Sequence, residues 1–147
     1  MTASDVAKLR EETGAGVMDC KKALTQANGD YQKAIELLKA QGQAKADKKG
    51  DRTTGAGYLE TYIHSGRVGV LLEVRAETDF VTRSEPFREL AKNLALQIAA
   101  SAPETVEDLL KQPYIKDESL TIENLLKATI AKVGENMKIV RFARYTV

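Results

Sequence analysis

The sequence predicts an α+β protein in which a three-helix N-terminal module precedes a core domain with a small antiparallel sheet packed by helices. Apolar residues recur at helical spacing over residues 1–42, and they alternate with a period of two from Tyr58 to Ala76. Helical spacing then returns before a final strand, which is typical of a sheet covered by helices on one face. We therefore predict a docking module at 1–42, a basic flexible linker at 43–57 and an α+β core domain at 58–147.

Three short helices are predicted in the first module. Ser4 is expected to cap the first helix, and Gly14 to end it. The second is predicted from Val17 to Ala27, and the third begins after a cap at Asp30 and ends at Gly42. The residues expected to face inward are Val6, Leu9, Thr13, Cys20, Ala23, Leu24, Tyr31, Ala34, Ile35, Leu37 and Leu38.

The segment between Gly42 and Gly57 has no apolar residue except alanine, and it is rich in basic residues and glycine. This composition predicts a solvated connector. A contact of its basic residues with RNA or an acidic surface is the alternative interpretation. The basic residues are Lys45, Lys48, Lys49 and Arg52.

The core domain is predicted to open with a β-hairpin and to close with a strand. Tyr58 to His64 and Arg67 to Ala76 alternate on either side of a Ser65-Gly66 turn. A helix is expected from Ser84 or Glu85, with Pro86 in its first turn, to Ser101. A short helical turn around Leu109, a helix from a Thr121 cap to Gly134 and a strand from Met137 to Thr146 complete the order.

Composition excludes several classes of function. The 22 basic residues are balanced by 21 acidic ones, so no strong positive field favours direct nucleic-acid binding. With no apolar run of membrane-spanning length and no signal-peptide pattern at the start, we expect a cytoplasmic protein without a membrane partner. One cysteine, Cys20, and one histidine, His64, predict neither a disulfide nor a metal site.

No motif predicts covalent chemistry. Gly14-Ala-Gly16 and Gly55-Ala-Gly57 lack the flanking pattern of a phosphate-binding loop and are interpreted as turns. His64 has no partner at a catalytic spacing, Cys20 is expected to pack in the module, and Glu11-Glu12 point in different directions on a helix. We expect neither an enzyme nor a bound cofactor.

Two features are unusual for a protein that only has to fold. The second helix begins with bare apolar residues, Val17 and Met18, and offers only Asp19 to its positive end. The connection Thr78-Asp79-Phe80-Val81 places an aromatic residue where a polar loop is expected. Phe80 is either a plug over the end of its own core or an aromatic wedge for a partner, with Asp79 fixing the loop by accepting hydrogen bonds from nearby N–H groups. Position alone favours the plug slightly.

The segment Leu9 to Leu24, which contains Thr-Gly-Ala-Gly-Val-Met-Asp-Cys-Lys-Lys-Ala-Leu, resembles the start of the bacterial elongation factor Ts family. Further matches spread the resemblance over nearly the whole chain. They are Glu73-Val74, Glu77-Thr-Asp-Phe-Val81, Ile98-Ala-Ala-Ser101, Gln112-Pro-Tyr-Ile-Lys116 and Gly134-Glu-Asn136.

This resemblance implies a ubiquitin-associated-type three-helix domain, an α/β core domain and guanine-nucleotide exchange on elongation factor Tu in translation elongation. It implies docking on the GTPase through Arg10, Val17 and Met18. It also implies a wedge formed by Asp79 and Phe80, flanked by Thr78 and Val81, that disturbs the GTPase near its bound magnesium ion.

The same resemblance suggests where this chain differs from its relatives. Gln97, next to Ile98, stands where relatives often have a histidine that approaches a second domain of the GTPase, and both are expected as a secondary contact. Val140 replaces one member of an Arg-Arg pair, and the stretch Ala102 to Pro113 is too short for the helical hairpin that many relatives insert. Short members of the family also form homodimers, which an uncovered strand edge would allow.

The second hypothesis for the function of this chain is a protein of a different class, an adaptor. In this alternative the three-helix module grips a helical or ubiquitin-like partner and the chain acts as an adaptor that exchanges no nucleotide.

Overall fold

The computed structural model describes residues 2–147, which form seven helices and five strands around two hydrophobic cores. In chain order these are α1 Ala3–Thr13, α2 Val17–Gln26, α3 Tyr31–Lys49, β1 Ala56–His64, β2 Val68–Ala76, α4 Asp79–Thr82, α5 Glu85–Ser101, α6 Val106–Lys111, β3 Pro113–Tyr114, β4 Asp117–Thr121, α7 Ile122–Val133 and β5 Met137–Thr146. The predicted fold class is confirmed. In the described residues, no helix is long and apolar enough to span a bilayer.

The first three helices enclose the smaller core, which contains Leu9, Cys20, Leu24 and the other buried residues predicted for the module. The prediction of a Ser4 cap is wrong, because Thr2 caps α1 instead. The Thr2 hydroxyl accepts from Asp5 N at 3.1 Å, and the Asp5 carboxylate accepts from Thr2 N at 3.2 Å. This reciprocal pair satisfies two helix-end donors, which a cap at Ser4 would leave unpaired.

Helix α3 does not end at Gly42, as the sequence predicts, but continues for almost two further turns to Lys49. A glycine has no side chain, so Gly42 lets α3 come close to α7, and a Cβ atom at this position would lie 3.1 Å from Ala131 Cβ. Ala46 is buried in the larger core, and Asp47 pairs with Lys127 of α7 at 3.0 Å. The prediction of a flexible linker is therefore wrong for residues 43–49, whereas the domain division itself stays a prediction.

Strands β1, β2 and β5 form an antiparallel sheet in the order β1-β2-β5. The predicted hairpin between β1 and β2 is present, with positive φ angles of 52° at Ser65 and 68° at Gly66. Such angles match the right-handed twist of the paired strands. Both β1 and β5 are edge strands, and the register of β5 shifts opposite Glu73 and Val74.

Helix α5 packs across the inner face of this sheet and buries Phe87, Leu94 and Ile98 against Leu72 and Val74. Helix α7 begins at the predicted cap, where the Thr121 hydroxyl accepts from Asn124 N at 3.1 Å, and ends at Gly134 with a φ of 79°. The small β3–β4 hairpin between α6 and α7 is not predicted from the sequence.

Candidate functional site

Phe80 lies on α4, a single helical turn between β2 and α5, and its side chain is 83% exposed. The interpretation of Phe80 as a plug over its own core is therefore wrong. Thr82 of the same turn is buried and Val81 packs against the larger core. The turn thus presents its aromatic residue to solvent and attaches to the core through its other side.

Hydrogen bonds from the core hold the end of this turn. The Arg88 guanidinium donates from Nε to the Thr82 carbonyl oxygen at 2.7 Å, and the Ser84 hydroxyl donates to the Val81 carbonyl oxygen at 2.6 Å. Arg88 is itself placed over the ring of Tyr58, with its guanidinium carbon 4.1 Å from the ring centroid. This cation–π contact fixes the donor that holds the turn.

The start of the turn is held by Glu135, which lies 57 residues further along the chain. Its carboxylate accepts from Thr78 N at 2.9 Å and from Thr78 Oγ1 at 2.7 Å. The Asp79 carboxylate accepts from one nearby N–H group, that of the Arg83 guanidinium with which it forms an ion pair, and among the described residues it accepts from no backbone N–H group of the loop. Glu135 accepts from the loop N–H group in its place.

A second exposed apolar group lies on the N-terminal module. Met18 is 62% exposed and Val17 is 39% exposed at the start of α2, where the Gly16 cap supplies no side-chain hydrogen bond. Val17 and Arg10 line one groove between α1 and α2. Asp19 pairs with Lys45 of α3 at 3.1 Å, so α3 anchors the first turn of α2.

The structure thus brings Arg10 and Val17 together and leaves Met18 exposed beside them. Asp79 and Phe80 lie on a different element, α4, and Thr78 directly precedes it.

Gln97 and Ile98 do not lie on the surface. Both are 0% exposed, and Gln97 Oε1 accepts from Ile115 N at 2.9 Å while Nε2 donates to the Pro113 carbonyl oxygen at 3.1 Å. A buried side chain whose hydrogen bonds are made within the chain is not free to meet a partner. The expectation of a secondary contact at these two residues is therefore wrong for this conformation.

The residues considered above for catalysis, metal binding or phosphate binding have positions and contacts that are explained by the fold. Cys20 is buried, burial raises the pKa of its thiol, and Sγ lies 3.8 Å from the Ala15 carbonyl oxygen. A thiol of this kind is held in its unreactive protonated form. His64 Nδ1 lies 2.8 Å from the Tyr62 hydroxyl at the end of the hairpin. Gly14 adopts a φ of 73° where α1 ends, as a turn glycine does.

Sequence reasoning about the site missed Glu135 and Arg88. A motif containing Glu135 was part of the family resemblance, but its contact with Thr78 joins two distant segments and leaves no local pattern. Arg88 lies in the first turn of α5, where a basic residue has no evident role until the neighbouring backbone is known.

The family model and the relatives that match this chain all point to the same protein family. The family model described as elongation factor TS matches residues 77–147. The chain is 44% identical to the chloroplastic elongation factor Ts of Cyanidioschyzon merolae, over 97% of this chain and 91% of the relative. It is 42% identical to elongation factor Ts of Moorella thermoacetica, over 100% of this chain and 95% of the relative.

A third relative, elongation factor Ts of a Nostoc species, is 48% identical over the whole chain, which spans 47% of that relative's length. The Moorella alignment extends over 193 positions although this chain has 147 residues, so that relative carries segments absent here. The matches cover the helical module as well as the core. On this evidence, the chain belongs to the elongation factor Ts family of translation elongation factors.

Proposed function

We propose that this chain is a guanine-nucleotide exchange factor that promotes the release of GDP from elongation factor Tu. The observation that carries the proposal is the exposed ring of Phe80 on a turn whose other side is held by the core. Leaving a phenylalanine in water forgoes roughly 1.5–3 kcal/mol of burial free energy, which a complementary crevice on a partner would supply. Membership of the elongation factor Ts family supports this choice of partner.

Two surfaces divide the task in this proposal. Arg10, Val17 and Met18 dock the N-terminal module on the GTPase, and Asp79 and Phe80 enter the region that supports its magnesium ion. Magnesium neutralises the charge of the terminal phosphates, so disturbing its support weakens the binding of GDP. The exchange factor forms no covalent bond and therefore acts without enzymatic chemistry.

The energy of exchange is a coupling between two binding equilibria. A coupling of about 4 kcal/mol would weaken nucleotide binding roughly a thousandfold. Coupling is reciprocal for each nucleotide, so a GTP molecule whose binding the exchange factor weakens must weaken the binding of the exchange factor in return, and it ejects the factor. The cycle then returns the free chain without any further energy source.

Stopped-flow release of a fluorescent GDP analogue from elongation factor Tu tests the proposal. We expect this chain to accelerate release, and Phe80→Ala to abolish most of that acceleration because the wedge is removed. Met18→Ala is expected to raise the concentration needed for half-maximal acceleration and to keep the maximal rate, since it removes docking area only. Ile115→Ala is the matched control, because it truncates an exposed apolar side chain elsewhere on the core.

An unchanged release rate with the wild-type chain would contradict the proposal. Recovery of proteins other than elongation factor Tu in a pull-down that GDP does not affect would instead favour the non-exchanging adaptor. If Phe80→Ala accelerated release as well as the wild type, exchange would stand and the wedge would be rejected.

A further inference from the structure

Gly134, Glu135 and Asn136 form the corner between α7 and β5. This corner makes contacts that the proposed docking surface and the proposed wedge do not explain. Glu135 accepts two hydrogen bonds from Thr78, at 2.9 and 2.7 Å. The next side chain, Asn136, donates from Nδ2 to the Arg52 carbonyl oxygen at 2.8 Å. The corner therefore holds the segment that follows α3 and the residue that precedes α4.

Glu135 is carried by a backbone that is fixed on both sides. On one side the Gly134 N–H donates to the Ile130 carbonyl oxygen at 2.9 Å and closes α7. On the other side Asn136 is only 5% exposed, and Met137 begins β5 inside the core. A carboxylate on such a backbone accepts hydrogen bonds without a further loss of backbone conformational entropy, and charge-assisted bonds are stronger than neutral ones.

Thr78 is the residue that precedes α4, two positions before Phe80. Its hydroxyl does not cap its own helix but donates to Glu135. Glu77, the residue before it, pairs with Arg52 at 3.6 Å, so the same segment is tied a second time. A helix of four residues is too short to be stable alone, and its direction must be set by what holds its ends.

We propose that Glu135 is a positioning residue that acts through Thr78 to set the direction in which Phe80 projects. The proposal rests on the exchange function described above. According to this proposal, the corner at residues 134–136, rather than Asp79, keeps Phe80 ordered before the chain binds its partner. The partner then does not have to order α4 on binding, and the maximal rate of GDP release depends on Glu135 although Glu135 itself need not touch the GTPase.

Two variants test this role in the full chain. Glu135→Ala removes both acceptors, and Thr78→Val removes the hydroxyl donor while it keeps the shape of the side chain. Hydrogen exchange of the free chain should become about tenfold faster in Glu135→Ala at the amides of Thr82 and Arg83, which are hydrogen-bonded in α4, because losing about 1.4 kcal/mol of local stability corresponds to a factor of ten.

In stopped-flow GDP release, Glu135→Ala should lower the maximal rate about tenfold, and the half-saturating concentration should change less than about twofold because the docking surface is intact. The double variant, which combines Glu135→Ala with Thr78→Val, should release GDP no more slowly than Glu135→Ala, because both substitutions break the same contact between Thr78 and Glu135. Glu118→Ala is the control, because it removes an exposed carboxylate from β4 and should behave as the wild type.

Faster hydrogen exchange confined to residues 78–83 together with a lower maximal rate supports the inference. A lower melting temperature without a local change at α4 would show a merely structural role and overturn it, and so would wild-type rates in both variants. If the wild-type chain failed to release GDP, the exchange function would fall, and unchanged hydrogen exchange in Glu135→Ala would separately overturn the positioning role.

Discussion

At the scale of single residues, Gln97 is a polar side chain whose role is to stabilise the fold, as an apolar core residue does. It is fully buried near the end of α5, and its amide group bonds to Gln112, to the Pro113 carbonyl oxygen and to Ile115 N. These contacts attach the β3 segment to α5. The side chain is therefore committed to the fold and not to a partner.

Replacing Gln97 by leucine tests this assignment. The variant keeps a similar volume but leaves the partly buried Ile115 N–H and Pro113 carbonyl without their partner, and an unpaired group costs about 1–3 kcal/mol when it is fully buried. We expect the free energy of unfolding, measured by urea denaturation, to fall by roughly that amount. The exposed Gln32→Leu on α3 should leave it nearly unchanged. An unchanged free energy in Gln97→Leu would contradict the structural role.

At the scale of elements, the ends of most helices follow from local chemistry. Gly14 and Gly134 adopt the left-handed backbone that ends α1 and α7, and Asp30 and Thr121 cap α3 and α7 as the sequence predicts. The end of α3 cannot be predicted in this way, because α3 continues through Gly42 by packing on α7, which is distant in sequence. The β3–β4 hairpin is also missed, since a two-residue strand has no periodicity.

The candidate site likewise combines features that follow from the local sequence with features that depend on contacts between distant segments. Apolar residues such as Met18 stand out in the sequence because they lie in the first turn of a helix that has no capping side chain. The choice between plug and wedge for Phe80 needs the three-dimensional structure, because a loop aromatic can turn either way. Glu135 and Gln97 are defined by long-range hydrogen bonds, and a single sequence carries no signal of such pairs.

The close approach of α3 to α7 predicts the effect of adding bulk at Gly42. A Cβ atom there lies only 3.1 Å from Ala131 Cβ, so the side chain of Gly42→Leu has to push the two helices apart. We expect a loss of about 1–3 kcal/mol in the free energy of unfolding, as for other overpacked sites, measured by urea denaturation. Ala44→Leu adds bulk to an exposed position of the same helix and should cost little. Equal stability of the two variants would show that α3 is free of α7.

At the scale of the whole molecule, the outer face of the sheet is apolar and exposed at its hairpin end. The register aligns Ile63 with Gly69 and Gly69 with Tyr145, and the side chains of Ile63 and Tyr145 are 70% and 77% exposed. The adjacent row contains Leu71, which is also exposed. Exposed apolar side chains that adjoin in this way are typical of an interaction surface.

A polar group bounds the apolar rows on the same sheet. The Glu73 carboxylate accepts from Arg75 Nε and Arg141 Nε, each at 2.8 Å. These hydrogen bonds lower the pKa of Glu73, the larger contribution coming from Arg141. The sheet therefore has an apolar area at its hairpin end and a charged boundary, the arrangement of an interface core beside its rim.

We expect a second copy of this chain to occupy the apolar area, because a two-fold axis places the same face on both subunits and buries both sets of exposed side chains. Sedimentation equilibrium should then show a dimer for the wild type. Ile63→Lys should shift the population to monomer, since its charge would be buried without a partner. Ile115→Lys introduces the same charge at an exposed isoleucine on the β3–β4 hairpin and should remain dimeric. A wild-type chain that stays monomeric at every concentration would contradict this prediction, and equal dissociation of both variants would place the interface elsewhere.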